Sequence, residues 1–188
     1  MTGINSKQKR GKAPAKSVKL LAATAMFAAL VTVTTSFIKM PTMLGYAHAG
    51  DGILYIGAAV LPGPFGVIAA SLGGALADLL SGYAHWAIPT AIIKALNAIP
   101  FALCGYALKK CGKNEKIINL PNLLMLLPTS AVTVLGYLVA NAAMKGWEAS
   151  IANTPNNLIQ AAVGAAIFIA LGLTLDGLKF KSLIKDFI

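Results

Sequence analysis

The stretch 76-LADLLSGYAHWAIPTAIIK-94 decides the fold, because it sets one aspartate and one lysine within long apolar runs. These two residues are Asp78 and Lys94, and most of their neighbours are aliphatic, aromatic or small. An ionised side chain at membrane depth costs roughly 3 kcal/mol or more unless it is paired or faces a wet cavity. Such residues mark functional sites, so the stretch indicates a polar solute held near one face of a bilayer.

The composition of the whole chain is that of a membrane protein. Of its 188 residues, 57% are hydrophobic and only 12% are charged, and the mean hydropathy is +0.72. Soluble domains carry about 25% charged residues, and one crossing of a bilayer takes about 20 apolar residues. We therefore expect an all-α membrane protein, a bundle of six transmembrane helices with no separate soluble domain.

The net charge of +10 is concentrated at the N-terminus, in one loop at residues 109–116, and at the C-terminus. Basic clusters beside membrane spans stay on the cytoplasmic side, so both termini and this loop are expected in the cytoplasm. The same distribution argues against nucleic-acid binding. The expected organisation is a basic cytoplasmic leader at residues 1–16 and a single six-helix membrane domain at residues 17–188, with the first helix not cleaved.

Glycine and proline breaks divide the apolar sequence into six predicted helices, of which the second is too short to cross a bilayer upright. The predicted helices cover residues 17–37, 51–61, 65–81, 88–108, 123–144 and 156–175. The outer side then receives the segments at residues 39–50, 81–86 and 145–155, which hold both histidines and both tryptophans.

Polar residues recur at helical spacing on three predicted helices and indicate a binding pocket. Residues three or four apart share one helix face. Polar pairs can also simply join membrane helices, but here the amides concentrate at the outer ends. Lys94 itself could donate to a ligand, pair with Asp78 inside the bundle, or do both. The stripes are Trp86, Thr90, Lys94 and Asn97; Ser130, Thr133, Tyr137 and Asn141; and Asn153, Asn156, Asn157 and Gln160.

The outer loops add His48, Asp51, Tyr83, His85 and Trp86 to this candidate site. Tyrosine and tryptophan rings commonly anchor proteins in the headgroup layer. Tyr83 and Trp86 nevertheless flank a turn beside the polar stripe, so they could stack on a planar ligand. The histidines and Asp51 lack the close spacing of a metal site, and no metal is expected.

Small residues form a second pattern that has two interpretations. Ala22, Ala25 and Ala29 lie on one face of the first helix, and the third helix carries a stripe from Gly66 to Ala77. Small residues four apart let membrane helices approach closely. The faces could serve internal packing or the docking of a partner's helices.

These features together resemble the substrate-binding (S) component of energy-coupling factor (ECF) vitamin transporters. The quoted stretch through Trp86-Ala87 resembles the branch with hydroxymethylpyrimidine and pyridoxine-type members, and flavin-type S components are related. The other residues that carry this resemblance are Pro41-Thr42, Gly45-Tyr46, His48, Gly50-Asp51, Gly63-Pro64 and Gly66, with Ala25-x-x-x-Ala29 in the first helix.

The resemblance implies a binding subunit that takes up its vitamin on the outer side, capped by the loop between the first two helices. It implies assembly with a transmembrane coupling protein and two ATPases, docking at Ala25 and Ala29, and toppling of the S component in the membrane. The chain has no phosphate loop of its own, so ATP hydrolysis belongs to the partners. No cofactor is expected.

The expected cargo is a hydroxymethylated pyrimidine or pyridine, with riboflavin or another B vitamin as the alternative. An intramembrane enzyme using His48, Asp51 or His85, or a proton-coupled carrier using Asp78 and Lys94, would be a different class. The residues expected to bind substrate are His48, Asp51, Tyr83, His85, Trp86, Thr90, Lys94, Asn97, Tyr137, Asn141, Asn157 and Gln160, and those expected to dock the partner are Ala22, Ala25 and Ala29.

Overall fold

Seven α-helices and one short β-hairpin make up the described part of the chain. The computed structural model describes residues 12–42 and 45–188, with side chains at residues 16–39 and 48–188. Most of the basic leader and the side chains of the motif residues at 41–46 lie outside the described residues. In chain order the elements are α1 (Lys12–Phe37), β1 (Lys39–Thr42), β2 (Gly45–His48), α2 (Gly50–Val60), α3 (Phe65–Leu80), a 3₁₀ turn (Ala84–Trp86), α4 (Ala87–Lys110), α5 (Leu120–Lys145), α6 (Trp147–Gly177) and α7 (Phe180–Phe187).

Four of these helices, α1, α4, α5 and α6, are long and apolar enough to cross a membrane. The helices α2 and α3 are also apolar but have only 11 and 16 residues. At 1.5 Å per residue they extend about 17 and 24 Å, less than the roughly 30 Å of a hydrocarbon core. The described residues therefore form a multi-pass membrane protein that is helical apart from the short hairpin, as the predicted all-α class requires.

The largest difference from the predicted helices is at the start of α6. Residues 145–155 were predicted as an outer segment, but α6 begins at Trp147 and continues through Pro155. The prediction was wrong because proline was read as a break, whereas membrane helices tolerate proline when neighbours satisfy the freed backbone groups. The chain instead reverses at Gly146, whose φ of 88° is accessible to glycine. The hairpin and α7 were not predicted at all.

The short helix α2 lies at the centre of the bundle and contacts α1, α3, α4 and α6. All of its residues except Ile53 are buried. Below its first turn, the rings of Tyr55, Phe101 and Phe168 form one cluster, with the Tyr55 and Phe101 centroids 5.2 Å apart and those of Phe101 and Phe168 5.0 Å apart. This cluster fills the middle of the bundle with aromatic side chains.

The stripe of small residues on α3 packs inside the protein. A Cβ atom at Gly73 would lie 2.7 Å from Val31 Cβ and 2.8 Å from the Ala28 carbonyl oxygen of α1. The two helices can therefore approach this closely only because residue 73 has no side chain. Internal packing is thus the role of this stripe, whereas Ala22, Ala25 and Ala29 of α1 are exposed.

At one end of the bundle, the lysine-rich loop between α4 and α5 is held against α6 and α7. The Asp176 carboxylate accepts hydrogen bonds from the backbone N–H groups of Ile117 at 2.7 Å and Ile118 at 2.8 Å. Lys181 Nζ donates to the Lys116 carbonyl oxygen at 3.1 Å. Burial of this ammonium lowers the pKa of Lys181 to about 8. We call this set of contacts the loop clasp.

Candidate functional site

A cavity of about 580 Å³ opens at the end of the bundle opposite the loop clasp. It is formed where α1, α3 and α5 end and where α4 and α6 begin, with β2 on one side. The lining residues are Thr35, His48, Asp78, Ser81, Tyr83, Trp86, Thr90, Tyr137, Asn141, Lys145, Ala149, Ala152, Asn153, Asn156, Asn157 and Gln160.

The sequence predicted most of the polar wall of this cavity. Three helix stripes that are far apart in sequence converge on it, because their outer ends meet at the same end of the bundle. The residues predicted to bind substrate that line the cavity are His48, Tyr83, Trp86, Thr90, Tyr137, Asn141, Asn157 and Gln160.

A buried ion pair lies under the cavity. Lys94 Nζ of α4 is 2.5 Å from Asp51 Oδ1 of α2, and both side chains are about 1% exposed. Gln160 Nε2 of α6 donates to Asp51 Oδ2 at 3.1 Å. The alternative in which Lys94 pairs with Asp78 is therefore wrong, because the first turn of α2 inserts beside α4 and supplies the carboxylate that Lys94 contacts. Lys94 and Asp51 do not belong to the cavity lining.

Two glycines allow this arrangement to pack. A Cβ atom at Gly164 of α6 would lie 2.8 Å from Asp51 Cβ, and one at Gly74 of α3 would lie 2.7 Å from Lys94 Cγ. Any larger residue at these two positions would collide with the stems of the paired side chains. Glycine therefore brings α3 and α6 close to the ion pair and excludes water from it.

Two other residues predicted to bind substrate do not line the cavity. Asn97 is fully buried between α4 and α5, where its Nδ2 donates to Thr133 Oγ1 at 3.0 Å and its carbonyl oxygen accepts from Thr129 Oγ1 at 3.2 Å. His85 is exposed beside the mouth. Helical spacing placed Asn97 on the correct face of α4 but could not show that α5 covers it.

His48 is a buried histidine on the cavity wall, only 6% exposed. Desolvation by burial is the main reason why its pKa is lowered to about 4, with the nearby Asp51 carboxylate acting in the opposite direction. His48 is therefore neutral at physiological pH. Its Nδ1 atom has no hydrogen-bond partner within the described part of the chain.

Aromatic rings and a lysine surround the mouth of the cavity. The Trp86 and Tyr137 ring centroids are 6.0 Å apart, and the rings are inclined by 53°. Lys145 Nζ lies 5.8 Å from the Trp86 ring centroid, and the buried Lys94 Nζ lies 5.3 Å from that of Tyr137. The half-buried Trp86 ring and the 42% exposed Tyr83 ring offer flat apolar surfaces at the rim.

The cavity also contains residues that were not among the predicted ligand contacts. Asn153 and Asn156 belong to the helix-six stripe, so helical spacing already indicated them. Thr35 and Ser81 stand at helix ends, where spacing gives no signal. Lys145 is the last residue of α5, where spacing likewise gives no signal.

The chemistry of this wall is hydrogen bonding combined with ring stacking. Amide side chains both donate and accept hydrogen bonds, and hydroxyl groups do the same. A mostly apolar cavity with a few placed polar groups is typical of small-molecule sites. Among the described side chains, no group of three or more His, Cys, Asp or Glu is arranged to hold a metal ion.

Two comparisons with known proteins bear on this site. A family model described as "ECF-type riboflavin transporter, S component" matches residues 15–176. A protein of Pyrococcus woesei, described as "Uncharacterized protein in gap 3'region", is 34% identical over 148 residues, which cover 77% of this chain and 93% of that protein. The matched residues include nearly all of α1 and α6, the whole of α3, α4 and α5, which together surround the cavity, and the whole of α2.

Proposed function

Because the chain belongs to the S-component family of ECF transporters, we propose that its cavity binds a hydroxymethylated pyrimidine or pyridine for ATP-driven import. Membership implies a vitamin as substrate and an ECF module as partner. S components are binding subunits of transporters and not enzymes, so the alternative of an intramembrane enzyme is wrong.

One observation supports the single-ring cargo. The stretch that resembles the hydroxymethylpyrimidine and pyridoxine branch contributes Asp78, Ser81, Tyr83 and Trp86 to the cavity wall. The part of the sequence that resembles this branch is therefore also a part that would contact the ligand. Trp86 and Tyr83 would stack on the ring, and the amides of α5 and α6 would bond its nitrogens and hydroxyls.

Riboflavin is the second candidate, supported by a different observation. The matching family model carries riboflavin in its description, and a cavity of about 580 Å³ lies well within the size range of sites for ligands larger than one ring. A three-ring flavin could extend between Trp86 and the amides of α6.

The cargo can be identified by mass spectrometry of the small molecule released when the detergent-purified protein is denatured. A pyridine or pyrimidine supports the single-ring proposal, and a yellow preparation that releases riboflavin supports the second candidate. Protein that is empty and also fails to bind added pyridoxine, hydroxymethylpyrimidine and riboflavin would contradict both. Uptake into cells that lack every ECF ATPase would instead favour a self-sufficient carrier.

We propose further that the cavity faces outward and the loop clasp faces the cytoplasm, as the lysine clusters suggest. Cys111, exposed in the loop between α4 and α5, provides the test. A membrane-impermeant maleimide should label it only after the cells are permeabilised. In a Cys111→Ser background, His85→Cys at the opposite end should be labelled in intact cells. Labelling of Cys111 in intact cells would contradict this orientation.

The exposed face of α1 formed by Ala22, Ala25 and Ala29 is the proposed docking surface for the coupling protein. Ala25→Trp should reduce uptake and co-purification of the ECF module while leaving vitamin affinity within about twofold, because residue 25 is far from the cavity. Ala166→Trp is the matched control, since Ala162 and Ala166 form an exposed pair with the same spacing on α6. Equal loss of assembly in both variants would contradict a specific surface on α1.

A further inference from the structure

Asp78 is a carboxylate on the cavity wall to which neither the buried ion pair nor the loop clasp assigns a role. Its Oδ2 atom is buried and has no hydrogen-bond partner among the described residues. Buried polar atoms in folded proteins are almost always paired with protein or water. No protein group among the described residues therefore occupies this oxygen, and it is available to a molecule in the cavity.

Three more buried polar atoms in the same wall lack partners within the described part of the chain: Thr35 Oγ1, His48 Nδ1 and Asn157 Nδ2. The side chains that carry these three are all less than 9% exposed, whereas Asp78 is only half-buried. A carboxylate can also exchange its two oxygens by rotation about χ2, a torsion with broad wells. Asp78 is thus the member of the set that can present an oxygen to a ligand with little rearrangement.

The backbone holds Asp78 in a fixed position at the end of α3. The backbone N–H of Tyr83 donates to the backbone carbonyl oxygen of Asp78 at 2.8 Å. Gly82, the residue before Tyr83, adopts a φ of 81°. This is the geometry of a helix C-cap that closes through a left-handed glycine. The carboxylate therefore projects from a rigid turn and not from a free loop.

The surroundings of Asp78 define what it can bind. Lys94, the nearest fully buried cation, is already paired with Asp51, and the Thr90 hydroxyl interacts with the Asp78 carboxylate. An ionised carboxylate accepts hydrogen bonds and cannot donate them, unlike the amides elsewhere in the wall. A ligand that bonds Oδ2 of the ionised Asp78 carboxylate must supply the donor.

We infer that Asp78 is a specificity-determining residue, whose carboxylate accepts a hydrogen bond from a hydroxyl group of the cargo. The inference rests on the proposed function, because both candidate cargoes carry hydroxyl groups on or beside a planar ring. It means that the site selects hydroxylated forms of the ring over deoxy forms, in which hydrogen replaces the hydroxyl.

The test removes the Asp78 side chain and the ligand hydroxyl separately and together. Calorimetry on the full chain in detergent measures the affinity for each combination. The probes are pyridoxine with its three monodeoxy analogues, hydroxymethylpyrimidine with its methyl analogue, and riboflavin with lumiflavin. The wild type should bind one of the parent compounds, and its affinity for that parent should exceed its affinity for at least one analogue by about tenfold or more. This is the difference expected for a hydrogen bond to a charged acceptor. In Asp78→Ala this preference should fall to about twofold or less.

Two further variants separate this role from a structural one. Asp78→Asn keeps the volume and should weaken the parent several-fold while changing the deoxy analogue by less than about twofold. Glu148→Gln removes a charge from an exposed site at the same end of the bundle and should change neither affinity. If Asp78→Ala does not yield monodisperse protein, the comparison in Asp78→Asn decides.

The outcomes distinguish this inference from the proposed function. A parent compound could bind while the ratio of its affinity to that of each analogue is the same in wild type and in the Asp78 variants. The specificity role would then be wrong, and the vitamin site would stand. If the wild type binds none of the parent compounds, the proposed cargoes are wrong and this inference falls with them.

Discussion

Lys94 Nζ and Asp51 Oδ1 lie 2.5 Å apart beneath the cavity, joining the middle of α4 to the first turn of α2. Gln160 bonds the second carboxylate oxygen, so three helices meet at one ion pair. Removing one partner from a buried pair leaves an uncompensated charge, whereas replacing both is often nearly neutral. The stability of the helices beneath the cavity therefore depends on both residues together.

We predict that Lys94→Met lowers the free energy of unfolding by about 3–5 kcal/mol, because Asp51 would remain buried and unpaired. The double variant with Asp51→Asn should recover most of this loss, since the amide introduced at position 51 is neutral and could still bond Gln160. Thermal unfolding in detergent measures both. Strictly additive losses in the double variant would show that the pair does not couple the helices.

We predict that Gly164→Ala lowers the free energy of unfolding by about 1–3 kcal/mol, the usual cost of overpacking. The added Cβ would lie 2.8 Å from Asp51 Cβ, an atom too close to the backbone to move aside. Gly105→Ala on α4 is the matched control, since its nearest neighbour would be the Ala59 carbonyl oxygen at 3.9 Å. The control should be neutral or slightly stabilising, because alanine favours helix. Equal thermal shifts for both variants would contradict the close packing.

We predict that His48 makes the protein less stable in mild acid. Its pKa is about 4 in the folded protein and about 6.5 when exposed. The unfolded chain therefore binds the proton first, and stability falls as the pH drops from about 6.5 to about 4, by up to about 3 kcal/mol. Above about pH 6.5 this residue contributes no pH dependence.

The measurement for His48 is thermal unfolding across this pH range in wild type and His48→Gln. The difference between the two curves should grow as the pH falls, because only the wild type must keep a buried histidine neutral. His85→Gln alters an exposed histidine and should follow the wild-type curve. Parallel curves for wild type and His48→Gln would contradict the assignment.

We predict that Asp176→Asn loosens the loop clasp. An asparagine oxygen can accept from only one of the two N–H groups of Ile117 and Ile118, so about 1.5–3 kcal/mol of stability should be lost locally. Hydrogen exchange at these two amides should become faster, while exchange in α2 stays unchanged. Asp186→Asn, on an exposed residue of α7, is the control and should leave both amides protected.

Most of the helices and of the polar wall could be predicted from the sequence, because both depend on local periodicity. The stripes ending at Trp86, Asn141 and Asn153 each followed from spacing within one helix, and their convergence followed from the up-and-down order of the helices. A site built from the ends of successive helices is therefore visible in a single sequence.

The partners across the bundle could not be predicted. Asp78 was the only carboxylate that the sequence suggested as a partner for Lys94, and the pairing with Asp51 depends on how deeply the short α2 inserts beside α4. Helical spacing placed Asn97 on the correct face of α4, but it could not show that α5 covers this face. Pro155 could not be recognised as a helix-interior residue, because a proline between polar residues indicates a break in a sequence, whereas here it lies exposed within the continuous helix α6.

The aromatic cluster of Tyr55, Phe101 and Phe168 has a consequence for the route of the cargo. These rings are at most 1% exposed and fill the bundle directly below the ion pair. The cavity is therefore closed at its inner end and is not a channel through the bilayer. A molecule that enters must leave by the same mouth. On its own, the chain should therefore leave a membrane sealed, and net delivery requires the mouth itself to be presented to the other compartment.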